Sequence, residues 1–431
     1  MQDERDMRQP QRATGAGPAA AAPSLDINAE TYPFELVQYL IDQAAVLNLY
    51  SIPAAREGGV AMYAPGGGDT VIGFRISESL RRFQIDLHEP SKGEGVRASN
   101  LIGETVGRFE HRWMIIPDGY VALPGEEPPP TALDPSRRQR FVMLDASCRF
   151  GEGADGFRGF GTGLTFPTTY GGRRQLLASA VGNLMEGTGK FRGREGTYTY
   201  CGTLSAEQGF RGNLLCRVAD PSGALRTEAA VPAPEQGPEP EPDVTYLMFR
   251  GQKKDRTQRT GFIIGPDGQI NGLNVSQQLR MFHADVTARG RTGLRASGSI
   301  GQVIGRMRAR ISFNLLNPGA PGTGAAPIPF MSFNEYTFLD PAGEEAGAVA
   351  ADGGEGRTFN LRLEGAPGQA ALRFGGFGLM QDGTGSFRGA EGLMTDNSVV
   401  GIGPHALSTL YILRVYDPEG KYRAGGRGGN R

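Results

Sequence analysis

The decapeptide GTGKFRGREG at 187–196 returns, little changed, as GTGSFRGAEG at 383–392. A longer correspondence surrounds it. SESLRRFQIDL (77–87) answers to SQQLRMFHADV (276–286), and RASNLIGETVGR (97–108) to RASGSIGQVIGR (295–306). ADGFRG (154–159) answers to ADGGEG (351–356), and CRVADPSG (216–223) to LRVYDPEG (413–420). The blocks keep their order at a spacing of 196–199 residues. A unit of about 180 residues is too long for a solenoid repeat and has the size of a whole domain. The chain is an internal duplication, so the fold of one half constrains the fold of the other.

The seam between the copies is RTEAAVPAPEQGPEPEPDV (226–244), rich in proline and acid and read as an extended linker. It separates a first domain at 31–225 from a second at 245–424. Residues 1–30 and 425–431 read as disordered tails.

Within each copy the period is two. In GRMRARISFNL, Arg306, Arg308, Arg310, Ser312 and Asn314 share one face, and Met307, Ala309, Ile311, Phe313 and Leu315 the other. The matching GRFEHRWMII sets Arg108, Glu110 and Arg112 against Phe109, His111, Trp113 and Ile115. Alternation of this kind marks strands packed on one side and wet on the other. Glycine, 66 of 431 residues, is at roughly twice its usual share of about 7%, and with the prolines it supplies turns between short strands. The expected fold class is all-β: two tandem antiparallel β-barrels of about eight strands each, with one N-terminal helix. The helix is expected over PFELVQYLIDQAAVLNLY (33–50), where apolar residues fall at 36, 37, 40, 41, 44 and 47 behind Pro33. It has no counterpart in the second copy. Packing against the sheet, plugging a barrel mouth, covering the junction between the halves and pairing in a homodimer are the roles open to it.

Composition excludes several function classes. A net charge of −1 gives no general pull toward nucleic acid or an acidic membrane surface. The three cysteines are too few for a disulfide scaffold and suit a reducing compartment. The charged start predicts no secretory signal, and no run of 18 apolar residues predicts a transmembrane helix, so a cytoplasmic location is expected. The histidines at 88, 111, 283 and 405 lie in no metal-binding spacing. Neither a phosphate loop nor a dinucleotide fingerprint on a βαβ unit occurs. No metal and no cofactor is expected.

The stretches EGTGKFRGREGTYTY and DGTGSFRGAEGLMTD resemble the Gly-Thr-Gly-x-Phe-(basic)-x-(Ala/Gly)-x-Gly signature of dirigent proteins and allene oxide cyclases. The matching residues are Gly187, Thr188, Gly189, Phe191, Arg192 and Gly196, then Gly383, Thr384, Gly385, Phe387, Arg388 and Gly392. The resemblance covers about thirty-five residues per half and implies a small eight-stranded antiparallel barrel, here present twice. The decapeptide itself reads as a barrel corner, with its glycines allowing the turn and its Phe entering the wall.

The resemblance also implies a cofactor-free cyclase or isomerase of specialised metabolism, folding a mainly apolar or polyketide-like substrate in a barrel pocket. A dirigent-like stereo-directing protein without bond-making groups, and a small-molecule-binding or structural pseudo-dimer, are the alternatives. The candidate catalytic residues lie where the second copy diverges, in FMSFNEYTFLD (330–340): Glu335 as acid/base, with Tyr336 and Asn334 as hydrogen-bond donors. Asp285, Arg295, Arg414 and His283 are the candidate substrate-binding groups, Arg295 with Asp285 forming a polar anchor. Three of these belong to repeated pairs, namely Asp86/Asp285, Arg97/Arg295 and Arg217/Arg414, and a structural ion pair is the other reading of each.

Overall fold

The alternating stretches are strands, and every pairing between them is antiparallel. The computed structural model describes residues 43–53, 60–63, 72–89, 95–117, 131–151, 153–205, 209–227, 241–253, 261–266, 270–288, 293–313, 329–361, 371–401 and 407–424. The first repeat carries β1 (Ala44–Pro53), β2 (Val60–Tyr63), β3 (Gly73–His88), β4 (Arg97–Ile116), β5 (Gln139–Phe150), β6 (Asp155–Tyr170), β7 (Arg173–Thr188), β8 (Gly196–Ser205) and β9 (Gly209–Ala219). The second carries β10 (Val244–Gln252), β11 (Gly261–Ile264), β12 (Ile270–Ala288), β13 (Leu294–Phe313), β14 (Pro329–Leu339), β15 (Glu345–Leu361), β16 (Ala371–Gly385), β17 (Gly392–Gly401) and β18 (Leu407–Tyr416). Strands β3 to β9 follow one another as neighbours, and β1 pairs with both β9 and β3, closing a ring of eight. The second repeat closes its ring through β10 in the same way. The short β2 and β11 extend the free edge of β3 and β12 beyond the reach of β1 and β10. Both copies bulge at the same place, around Arg81 in β3 and Arg280 in β12.

The helix expectation is corrected here. Among the described residues there is no α-helix; Ala44–Tyr50 belongs to β1, whose counterpart is β10. Residues 33–42 of the expected helix lie outside the described residues, as do 1–30, 425–431 and most of the expected linker. The physical reason is burial on both faces. Ala45, Leu47 and Leu49 point into the first barrel, while Val46 and Tyr50 join a core shared with the second barrel. A strand covered on both sides loses its alternation and reads as a continuous apolar run.

The repeated decapeptide is the expected corner. It links β7 to β8 through a 3-10 turn, Gly189–Phe191, and β16 to β17 in the second copy. Gly189 and Gly385 adopt φ of 55° and 53°, the left-handed region where a side chain is strained. The phenylalanine then plugs the wall. Phe191 packs on Phe150 and Phe157, each 5.5 Å away, and Phe387 lies 5.0 Å from Phe338 and 5.2 Å from Tyr422. Arg192 and Arg388 stay exposed.

The barrels share one hydrophobic cluster, which runs from one into the other through Tyr50, Phe83 and Tyr246. Each repeat also sends the residues after its last strand across to its neighbour. Ala98 of β4 donates to the Tyr422 carbonyl (2.8 Å) and accepts from the Ala424 amide (2.9 Å). Reciprocally, Ala296 of β13 donates to the Leu225 carbonyl (2.7 Å) and accepts from Thr227 (2.8 Å).

Candidate functional site

Ladder register matches the interior positions of the barrels one to one. His111 faces Ile76 as Ala309 faces Val275, and Phe109 faces Glu78 as Met307 faces Gln277. Tyr200 faces Leu214 as Asp396 faces Tyr411.

Among the described residues, the interior of the first barrel is packed with large side chains. His111 Nε2 lies 3.0 Å from Glu78 Oε2, the Tyr200 hydroxyl donates to Glu78 Oε1 at 3.1 Å, and Ser51 donates to the Tyr200 oxygen at 3.3 Å. Aromatic rings close over this cluster. Phe109 stacks on His111 at 4.2 Å, Trp113 on Phe141 at 3.9 Å, and Phe210 meets the Trp113 face edge-on at 4.7 Å. Burial pushes the Tyr200 phenol well up, with the Glu78 charge adding to it.

In the second barrel the same positions carry smaller groups. Met307 stands for Phe109, Ala309 for His111, Ile311 for Trp113, Leu407 for Phe210 and Asp396 for Tyr200. All five border a cavity of about 10 Å³, the space of one water molecule. Its polar wall comes from Ser332, Asn334, Asp396, Ser398 and Thr409, with Tyr411 beside them. Asn334 donates to Ser332 Oγ (3.0 Å). Ser398 lies within donating distance of both Asp396 Oδ2 (3.2 Å) and Thr409 Oγ1 (2.9 Å). Gln277 donates to Thr409 (3.3 Å) and accepts from the Tyr411 hydroxyl (2.7 Å). Two buried polar atoms here have no hydrogen-bond partner, Asp396 Oδ1 and the Tyr336 hydroxyl. Burial pushes the Asp396 carboxyl up to about 7, against the lowering effect of the Ser398 hydrogen bond. Burial likewise drives the Tyr336 and Tyr411 phenols well above their ordinary value. A carboxyl poised near neutrality can take or give a proton at physiological pH.

The sequence candidates divide between three places. Asn334 and Tyr336 are buried on the inward face of β14, and Asn334 reaches the cavity. Glu335 lies between them on the exposed outer face. The other four stand at the seam between the barrels. Asp285 accepts from Arg82 Nε at 2.6 Å and pairs with its Nη2. His283 Nδ1 lies 2.6 Å from Asp86 Oδ1. Arg414 pairs with Glu241 and Thr203, and Glu241 also accepts from the Tyr50 (3.1 Å) and Tyr246 (2.8 Å) hydroxyls. Arg295 is not beside Asp285 as an anchor; it holds the crossing segment through the Ala224 (2.9 Å) and Arg226 (3.3 Å) carbonyls. Arg217, the repeat mate of Arg414, donates to the Ser408 carbonyl at 2.7 Å across the seam.

Sequence reasoning missed Asp396 and Glu78. The signal was divergence at matched positions: TYTYCGTL (197–204) against LMTDNSVV (393–400) exchanges a tyrosine for an aspartate on an inward face.

No protein-family model matches this chain, and neither does any curated protein. Among the described residues, no group of three or more His, Cys, Asp or Glu is placed to hold a metal ion. None of their helices is long and apolar enough to cross a membrane.

Proposed function

We propose that the second barrel is a small-molecule site and the first its scaffold, the pair being a tandem form of the allene oxide cyclase-like barrel. The observation that carries this reading is the set of large-to-small exchanges bordering a polar-walled cavity at Asp396, where the matched positions of the first copy carry Phe109, His111, Trp113, Tyr200 and Phe210. The reaction class is cofactor-free isomerisation or cyclisation of a mainly apolar compound. Asp396 exchanges the proton, Ser398 steadies its carboxylate, and Asn334 supplies a polar contact from β14. Apolar walls exclude water and strengthen each of these contacts. Binding without turnover is the second reading, favoured by the small volume of the cavity.

The test is a ligand screen by native mass spectrometry on the wild-type protein, on Ala309→Trp, which fills the cavity, and on His111→Ala in the first barrel. Ligands should bind one per chain, disappear with Ala309→Trp, and persist with His111→Ala. Retention in Ala309→Trp would overturn the assignment of the site. For any ligand found, loss of turnover in Asp396→Asn supports catalysis, and a ligand recovered unchanged supports the binding role.

A further inference from the structure

We propose that the group received at Asp396 is a protonated amine, so that the pocket selects small amine-bearing molecules over alcohols and carboxylic acids. This rests on the second barrel being a small-molecule site and names the chemistry of its ligand.

Three observations converge on it. The cavity has the size of one water molecule, which is also the size of an ammonium head, whereas a carboxylate is larger. Asp396 is 7% exposed and lines the cavity, and its Oδ1 meets no side-chain partner, so a buried acceptor that becomes anionic above about pH 7 borders the space. Among the described residues that line it there is no Lys, Arg or His, so no described cation of the wall answers that charge. A buried carboxylate without a charged partner is costly, and a charged donor satisfies it better than a neutral one. The rings of Phe330, Phe374 and Tyr411 complete the wall, and aromatic faces attract a cation further.

The surrounding strands add no competing charge to the wall. On β10, Arg250 turns to Ser408 (2.9 Å), and Lys253, buried just past the end of that strand, is not among the lining residues. On β16, Arg373 reaches the Gly196 carbonyl of the first barrel (2.6 Å). From β12 comes the neutral Gln277, and from β14 and β18 come Tyr336 and Tyr411, whose phenols stay protonated through neutral pH.

The experiment is calorimetric titration of the full chain with n-butylamine, n-butanol and butyrate at pH 6 and pH 8, repeated with Asp396→Asn and Ala309→Trp. Butylamine should bind one per chain, at least tenfold tighter than butanol at pH 8. Its affinity should fall roughly tenfold at pH 6, where protonation of Asp396 removes the charge. Asp396→Asn should lose the preference for the amine and the pH dependence together. The wild-type pH profile tests the proposal even if that variant folds poorly. Butanol binding as tightly as butylamine, or butyrate binding tightest and at pH 6, would overturn the amine assignment. If that binding were still lost in Ala309→Trp, the small-molecule site itself would stand. Binding of none of the three probes, the cavity then holding only water, would overturn both.

Discussion

In the first barrel a carboxylate, Glu78, is met by His111 and Tyr200 and sealed beneath Trp113 and Phe210. In the second, Asp396 stands where Tyr200 does, with one oxygen that no side chain meets, beside a cavity. The strand ring, its bulges and its corner are the same in both. Five large-to-small exchanges border the cavity of the second barrel, partly offset by Tyr411 where the first has Leu214. A barrel of this size leaves only the volume that its inward residues decline to occupy.

The sharpest way to break that comparison is to exchange the fillings. Trp113→Ile, which installs the residue of the second barrel, should cost about 3–5 kcal/mol in denaturant unfolding, as the stacked partner Phe141 loses its contact and a void opens. The converse Ile311→Trp should cost less, about 1–3 kcal/mol, because the cavity absorbs part of the added ring. Equal costs would mean that the two interiors are packed alike.

A second comparison sets the carboxylates against pH. The folded Asp396 titrates at about 7, while an unfolded aspartate titrates near 3.9. The unfolded chain therefore gives up this proton first as pH rises. Stability is lost progressively between about pH 4 and 7 and stays lost above that. At about 1.4 kcal/mol per unit the loss amounts to a few kcal/mol. Urea unfolding should find Asp396→Asn more stable than wild type at pH 8 and indistinguishable from it at pH 4. Glu78→Gln should instead destabilise at both pH values, because His111 and Tyr200 lose their acceptor.

The smallest effect is expected at the seam. The hydrogen bond that His283 donates to Asp86 raises the His283 pKa above its ordinary value despite partial burial. Its contribution is thus complete below about pH 6.5 and fades as pH rises through the folded value. Both side chains are about one-third exposed, so the gain stays below about 1 kcal/mol. His283→Gln, which copies Gln84, should lower the melting temperature slightly at pH 5.5 and leave it unchanged at pH 9. A difference that persists at pH 9 would assign His283 a role other than this pair.

The duplication, the strand alternation and the glycine corner were legible because each is a local pattern. β1 was not, since its outer face is covered by a barrel that begins almost two hundred residues later. The same cause hides Glu241: in a Pro- and Glu-rich stretch it looks solvated, yet it gathers Tyr50, Thr203, Tyr246 and Arg414 from both repeats. On β14 the period of two already separates Glu335 from Asn334 and Tyr336, so the outward course of Glu335 could be read from spacing alone. Asp396 needed the registers of two ladders to be recognised as the counterpart of Tyr200.

The reciprocal crossing segments have one more implication. Separate identical subunits joined by such a two-fold exchange must accept every substitution twice, once on each side of the axis. A single chain carrying both copies is free of that constraint. Here Arg82 faces Asp285 while its repeat mate Met281 offers Asp86 nothing comparable, and His283 takes up that role from another position. Covalent fusion thus lets one partner specialise while the other keeps the assembly rigid, and the clasp at Ala98 and Ala296 holds the two in register while they diverge.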